Sequence, residues 1–174
     1  MTVERIEPGF LLGERDMLEA WLDYHRATLL WKCEGLSDEQ LRQRAVAPSS
    51  MSLLGIVRHM AEVERWWFRV VLRGEKIDML YCDHTDRRDA DWDEVDTADV
   101  TETFATFNEE CAAARANVAA TASLDDVGEI PPGRDPRGHQ VSLRWLVTHM
   151  IEEYARHNGH ADILREQIDG QTGD

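Results

Sequence analysis

Apolar residues in this chain recur in steps of three and four over four stretches of roughly 20 residues, and none shows the strict alternation of a strand. The first starts at Glu14, runs through Met17, Leu18, Trp21, Leu22, His25 and Leu29, and stops before Gly35. The second opens at Ser50 or Ser52 and carries Leu53, Ile56, Val57, Met60, Val63, Trp66, Trp67, Val70 and Val71 to the neighbourhood of Arg73. Asp99, with Glu102 three residues on, caps the third, which follows Val100, Phe104, Phe107, Cys111, Ala114 and Val118 as far as Ser123. Ser142 caps the fourth, which follows Leu143, Leu146 and Met150 to the region of Gln167, before Gly170. A stripe of this kind must bury against another helix. Four of them, each about 30 Å long, predict an all-α four-helix bundle with long connecting loops and one domain spanning 1–174.

The connections carry their own signals. Ser37 through Gln40 has the form of a capping box, which predicts a short helical turn to Arg44 that Pro48 ends. Glu75 to Ala98 is rich in Asp and keeps no period; a connection so long predicts a crossover packed over the bundle or over a site. Residues 124–141, with Pro131, Pro132, Gly133 and Pro136, read as a loop, and residues 1–13 as a cover over one end of the fold.

Composition excludes several functions. With 34 acidic against 19 basic residues the net charge is -15, which repels phosphate backbones and anionic lipid, so neither nucleic acid nor a membrane is expected as a partner. No stretch has the length and apolarity of a membrane span, and the N-terminus has no signal-peptide pattern. Cys33, Cys82 and Cys111 are far apart, without a CxxC pair, and read as reduced, buried thiols of a cytoplasmic protein.

One interruption carries the chemistry. In the fourth stripe Glu153, His157 and His160 stand between Met150 and Leu164, where polar groups cost free energy unless paired. Glu153 and His157 are four apart and so share a helix face; His59 occupies an inward position of the second stripe, between Ile56 and Val63. Three protein ligands with a fourth position left open is the pattern of a catalytic zinc site, and nickel, iron or manganese also accept such donors. On spacing alone, hydrogen-bonded core histidines are the competing reading, although a plain core does not accommodate Glu153. A ferritin-like di-metal bundle needs Glu-x-x-His, which the chain lacks; His-Glu-x-x-His, a Gly-rich phosphate loop and Gly-x-Ser-x-Gly are missing too. His160 is assigned to hydrogen bonding behind the ligands or in the core, and His149 to orienting Glu153 or to packing. His25 and His84 read as packing or surface residues, with Asp83, His84 and Asp86 a candidate lid. Arg58 and Arg156 read as solvated, and the Trp66-Trp67 pair as core, with one ring at a cavity mouth.

The segments Leu54-Gly-Ile-Val-Arg-His-Met-Ala-Glu-Val-Glu-Arg-Trp-Trp67 and Glu153-Tyr-Ala-Arg-His-Asn-Gly-His160 resemble the DinB/YfiT-like metal-binding superfamily. Within it they are most similar to the branch near the mycothiol-dependent maleylpyruvate isomerases. Many relatives carry three His, the last followed by Arg-Gly-Gln; here His157 precedes Asn158-Gly159-His160, and Glu153 stands where those relatives have His. The His, Glu, His set of the isomerase branch implies His59, Glu153 and His157 as ligands of a divalent metal, zinc first. The resemblance covers nearly the whole chain and also implies a low-molecular-weight thiol such as mycothiol, an electrophilic small molecule, and S-transfer or isomerisation. The chain stops at Asp174 without the isomerase's C-terminal domain, so the isomerase's own reaction is not the expectation. A non-catalytic metal-binding stress-response protein on the same scaffold is the alternative, and a homodimer is in keeping with either.

Overall fold

Every long apolar stripe is a helix in the computed structural model of the protein, which describes residues 3–173 other than 84, 85, 135 and 137. The helices are α1 (Glu14–Cys33), α2 (Asp38–Arg42), α3 (Leu53–Glu64), α4 (Ala90–Asp93), α5 (Val100–Ala119) and α6 (Leu143–Asp169). Their starts are where the caps predict. The side chains of Ser52, Asp99 and Ser142 accept from the backbone N–H groups of Gly55, Glu102 and Trp145, and Ser37 and Gln40 form both halves of a capping box. The long helices pack chiefly as α1 on α6 and α3 on α5. Their shared core holds Leu29, Leu53, Ile56, Met60, Phe68, Phe107, Leu146, Met150 and Tyr154, all essentially without solvent contact.

Four features depart from the sequence expectation. First, α3 continues as a π-helix, Arg65–Val71, whose wider turn places Phe68 and Val71 in the core while Trp66 and Trp67 stay half-buried. Second, the 124–141 loop contains a two-stranded antiparallel ribbon, β1 (Val127–Glu129) with β2 (Gln140–Ser142). Three-residue strands are too short to print an alternation. Third, the N-terminal segment lies along α1 instead of covering an end: Val3 N–H donates to Glu34 at 2.9 Å and Arg5 stacks on Trp31, at the far end of the helix from Gly13. Fourth, the core carries charge. Arg26 on α1 donates two hydrogen bonds of 2.7 Å to Glu64 on α3, and the Tyr154 hydroxyl of α6 donates to the same carboxylate at 2.8 Å.

The crossover from residue 75 to 98 packs over the bundle, as its length predicts. Glu62, buried on α3, accepts the backbone N–H groups of Leu80, Tyr81 and Cys82 at 2.7–3.2 Å. Arg58, one turn earlier, donates to the backbone oxygens of Ala90 and Asp91 at 3.0 Å and lies 3.8 Å over the Tyr81 ring. This corrects the solvated reading of Arg58: its side of the helix is polar, but the crossover lies on it and brings carbonyls for the guanidinium to satisfy. Arg156 is exposed and pairs with Glu152, as expected. Among the described residues, no helix is long and apolar enough to cross a membrane.

Candidate metal centre

His59 projects from α3 one turn after Gly55, while Glu153 and His157 project from α6. The two helices bring one ligand atom of each residue within 4.8 Å of the others. On α6 the buried line runs through Met150, Tyr154, His157, Ala161 and Leu164. Glu153 and His160 flank it, because Tyr154 takes the core position between them and bonds Glu64. The carboxylate therefore faces a cleft edge at 19% exposure, and His157 lies deeper at 10%.

Each imidazole is set up as a donor. Asp91, on α4, holds an oxygen 2.7 Å from His59 Nδ1. That contact engages Nδ1 and leaves Nε2, on the other side of the ring, as the nitrogen that can ligate. Burial, then the neighbouring His59, His160 and Arg156 charges, push His157 down to about 3, against an opposing pull from Asp91. At neutral pH that ring is therefore uncharged and able to ligate. Its Nε2 lies 3.7 Å from Glu153 Oε2, too far for a hydrogen bond. Two ligands on one tetrahedral zinc, each bonded at ~2.0–2.1 Å, stand about 3.3–3.5 Å apart. The His157–Glu153 pair is within a few tenths of an ångström of that spacing, and two imidazoles and a carboxylate fit zinc in number and charge. His157 Nδ1 and His160 Nδ1 are buried without a hydrogen-bond partner among the described residues.

Trp92, the neighbour of Asp91, covers the imidazoles. Its ring is 4.9 Å from that of His59 and stacks at 5.9 Å on His157. Gly55 makes room for it: a Cβ there would stand 2.9 Å from Trp92 Cε3. Neither Asp91 nor Trp92 was legible as a site residue, since both lie in an aperiodic acidic stretch. The only signal was the length of that stretch.

His160 packs edge-on against His157, with ring centroids 5.3 Å apart, and stands outside the ligand cluster. His149 stacks on Trp145 and meets Glu153 only at 3.7 Å, so it makes no hydrogen bond that would orient the carboxylate. His25 is a packing residue whose backbone oxygen accepts from Asn158. The candidate lid residue His84 lies outside the described residues. Beyond His59 along α3, a cleft of about 350 Å³ is lined by Glu62, Val63, Trp66, Met79, Cys82 and Arg134. Cys82 is half-buried in this lining, unlike Cys33 and Cys111, which are buried as expected. Burial first, with Asp91 and Glu62 adding to it against a backbone hydrogen bond, pushes its thiol up to about 12. A sequence model of the mycothiol-S-transferase family matches residues 17–170, a span that takes in all three ligand candidates. No curated protein matches the chain.

Proposed function

We propose, from the premise that this chain belongs to the mycothiol-S-transferase family, that His59, Glu153 and His157 form the metal centre of a thiol S-transferase. Family membership implies a transferase that uses mycothiol. The centre, its zinc and the electrophilic acceptor are the proposal. The observation that carries it is the convergence, from two helices, of two imidazoles and a carboxylate within 4.8 Å. A divalent cation held by these side chains would lower the pKa of a thiol and keep a thiolate available at neutral pH.

The chain's own residues supply the remaining parts. Asp91 engages Nδ1 of His59 and so fixes its orientation; Trp92 shields the two imidazole faces from water. The cleft lined by Val63, Trp66, Met79 and Arg134, one turn along α3 from His59, would take the apolar body of an electrophile. In the reaction the mycothiol sulfur forms a bond to the electrophilic carbon. The carbon's bond to its leaving group breaks, the electron pair departs with that group, and the thiol proton passes to solvent. Cys82 takes no part, because its thiol stays protonated at neutral pH.

Two measurements on the purified protein test this reading. Zinc should be present near one equivalent and be lost in His157→Ala; mycothiol conjugation to a chlorinated aromatic should exceed the uncatalysed rate and fall to it in that variant. Absence of bound metal in the wild type overturns the centre. Bound metal without conjugation of any of several electrophiles supports the non-catalytic metal-binding reading instead.

A further inference from the structure

Two clefts run along the same side of α3 and the π-helix that follows it. The smaller, of about 350 Å³, and a larger groove of about 1060 Å³ share Trp66, Met79, Cys82 and Arg134, and so form one continuous depression. The floor of the groove is the π-helical turn with Trp66 and Val70, and one wall is the start of the crossover, residues 75–83. That wall is tied down. Arg65 donates to the backbone oxygen of Asp78 at 2.9 Å, and Glu62 accepts the three N–H groups of residues 80–82. The groove is therefore formed before a ligand arrives.

Its lining inverts the charge balance of the chain. Four cationic and three acidic side chains line it, in a molecule with 19 basic against 34 acidic residues. Arg65 and Arg87 are committed to Glu110 and Glu94, and Glu75 to Arg69. The side chains of Lys76, Asp78 and Arg134 make no ion pair among the described residues, and Arg134 lies 5.7 Å from the centre of the Trp66 ring. An ammonium, a guanidinium and a carboxylate thus stand ready beside an indole floor. Such a set suits a neutral ligand rich in hydroxyls, each of which both donates and accepts. An ion of either sign would meet its own sign in the lining.

We infer that this groove holds the sugars of mycothiol. The inference rests on the proposed S-transferase function, which supplies the thiol. Mycothiol is an N-acetylcysteine joined by an amide to a glucosamine–inositol pair; it is neutral, and the sugars carry its hydroxyls. Val63, in the smaller cleft, stands one helical turn, ~6 Å, from His59. The amide-linked cysteine that carries the sulfur spans ~6 Å to the first sugar, so a sulfur at the metal centre leaves the sugars at the larger groove. Sulfur and electrophilic carbon must meet, so the cysteine arm and the electrophile share the smaller cleft. The sugars form no bond and lie outside it. Their contacts are the same before and during bond formation, and so lower KM for mycothiol without raising kcat.

Two measurements on the zinc-loaded full chain test the groove. Glucosaminyl-inositol, which has no thiol, should bind the wild type in ligand-observed NMR and be displaced by mycothiol. Lys76→Ala and Asp78→Ala change exposed residues of the larger groove alone, so the fold is not at risk. Each should weaken that binding about 10-fold. Each should also lower the ratio of kcat/KM for mycothiol to that for N-acetylcysteine by a similar factor, through KM. A wild type that conjugates mycothiol no better than N-acetylcysteine, or a ratio unchanged in both variants, overturns the groove and leaves the metal centre standing. Failure of glucosaminyl-inositol to bind the wild type, or equal binding to wild type and both variants, overturns it too. A wild type that binds this sugar pair, loses it in both variants and conjugates nothing overturns the transferase and upholds the groove.

Discussion

Asp91 is the residue whose role a single substitution isolates best. It meets the far nitrogen of His59 with one oxygen and the backbone N–H of Trp92 with the other, so Asp91→Ala leaves all three ligand candidates in place while freeing the His59 ring to turn. Zinc affinity should fall about 10–100-fold, read by competition with a chromogenic chelator. Cys82→Ser should leave mycothiol conjugation unchanged within error, since a thiol pushed to about 12 is not a nucleophile at neutral pH. The candidate ligands His59, Glu153 and His157 lie on two helices, and a helix has a fixed period. An imidazole at an inward register of one stripe and a Glu-x-x-x-His pair in another leave core histidines as an equal reading, and it is the family resemblance that picks out these three. Asp91, Trp92 and the burial of Arg58 were not legible. Periodicity gives the side of a helix on which a residue lies, and says nothing of what an aperiodic segment later lays over that side.

Helix α3 shows how one element serves both stability and site. Gly55 lies inside it, where alanine would be preferred by about 1 kcal/mol on helix propensity. The absent Cβ is what lets Trp92 lie against the helix, 2.9 Å from where that carbon would be. Gly55→Ala should therefore keep the helical far-UV signal, displace Trp92 with a shift in tryptophan fluorescence, and weaken zinc binding. Farther along the helix, Glu64 faces α1 and α6 with no exposed surface, holding Arg26 and the Tyr154 hydroxyl. Glu64→Ala removes the buried partner of the Arg26 guanidinium, leaving it only the half-exposed Asp23, and should cost ~3 kcal/mol of stability in urea unfolding. The four long helices were legible from stripe length, caps and glycine stops. The ribbon of β1 and β2 and the π-turn of 65–71 were not, since each spans too few residues for a period to register.

Across the whole molecule the burial of His157 makes the metal-free fold sensitive to acid. In the unfolded chain an imidazole titrates at about 6.5, whereas in the fold His157 is held down to about 3. The unfolded state therefore takes the proton first. Its contribution to stability is whole above pH 6.5 and diminishes steadily as the pH falls from 6.5 to 3. Thermal melts of metal-free protein should show this decline, and His157→Gln should flatten it. The crossover has a wider consequence. Glu62 and Arg58 tie it to α3, and Asp91 and Trp92 tie it to the imidazoles. An ion that prefers the loop-closed state must, by thermodynamic reciprocity, favour loop closure by the same free energy. Hydrogen exchange and limited proteolysis along residues 75–98 then become a gauge of metal occupancy, read far from any colour or catalytic signal. A protein stripped of zinc should be cut there first, and the rate of cutting should fall with free zinc along the same curve that describes binding.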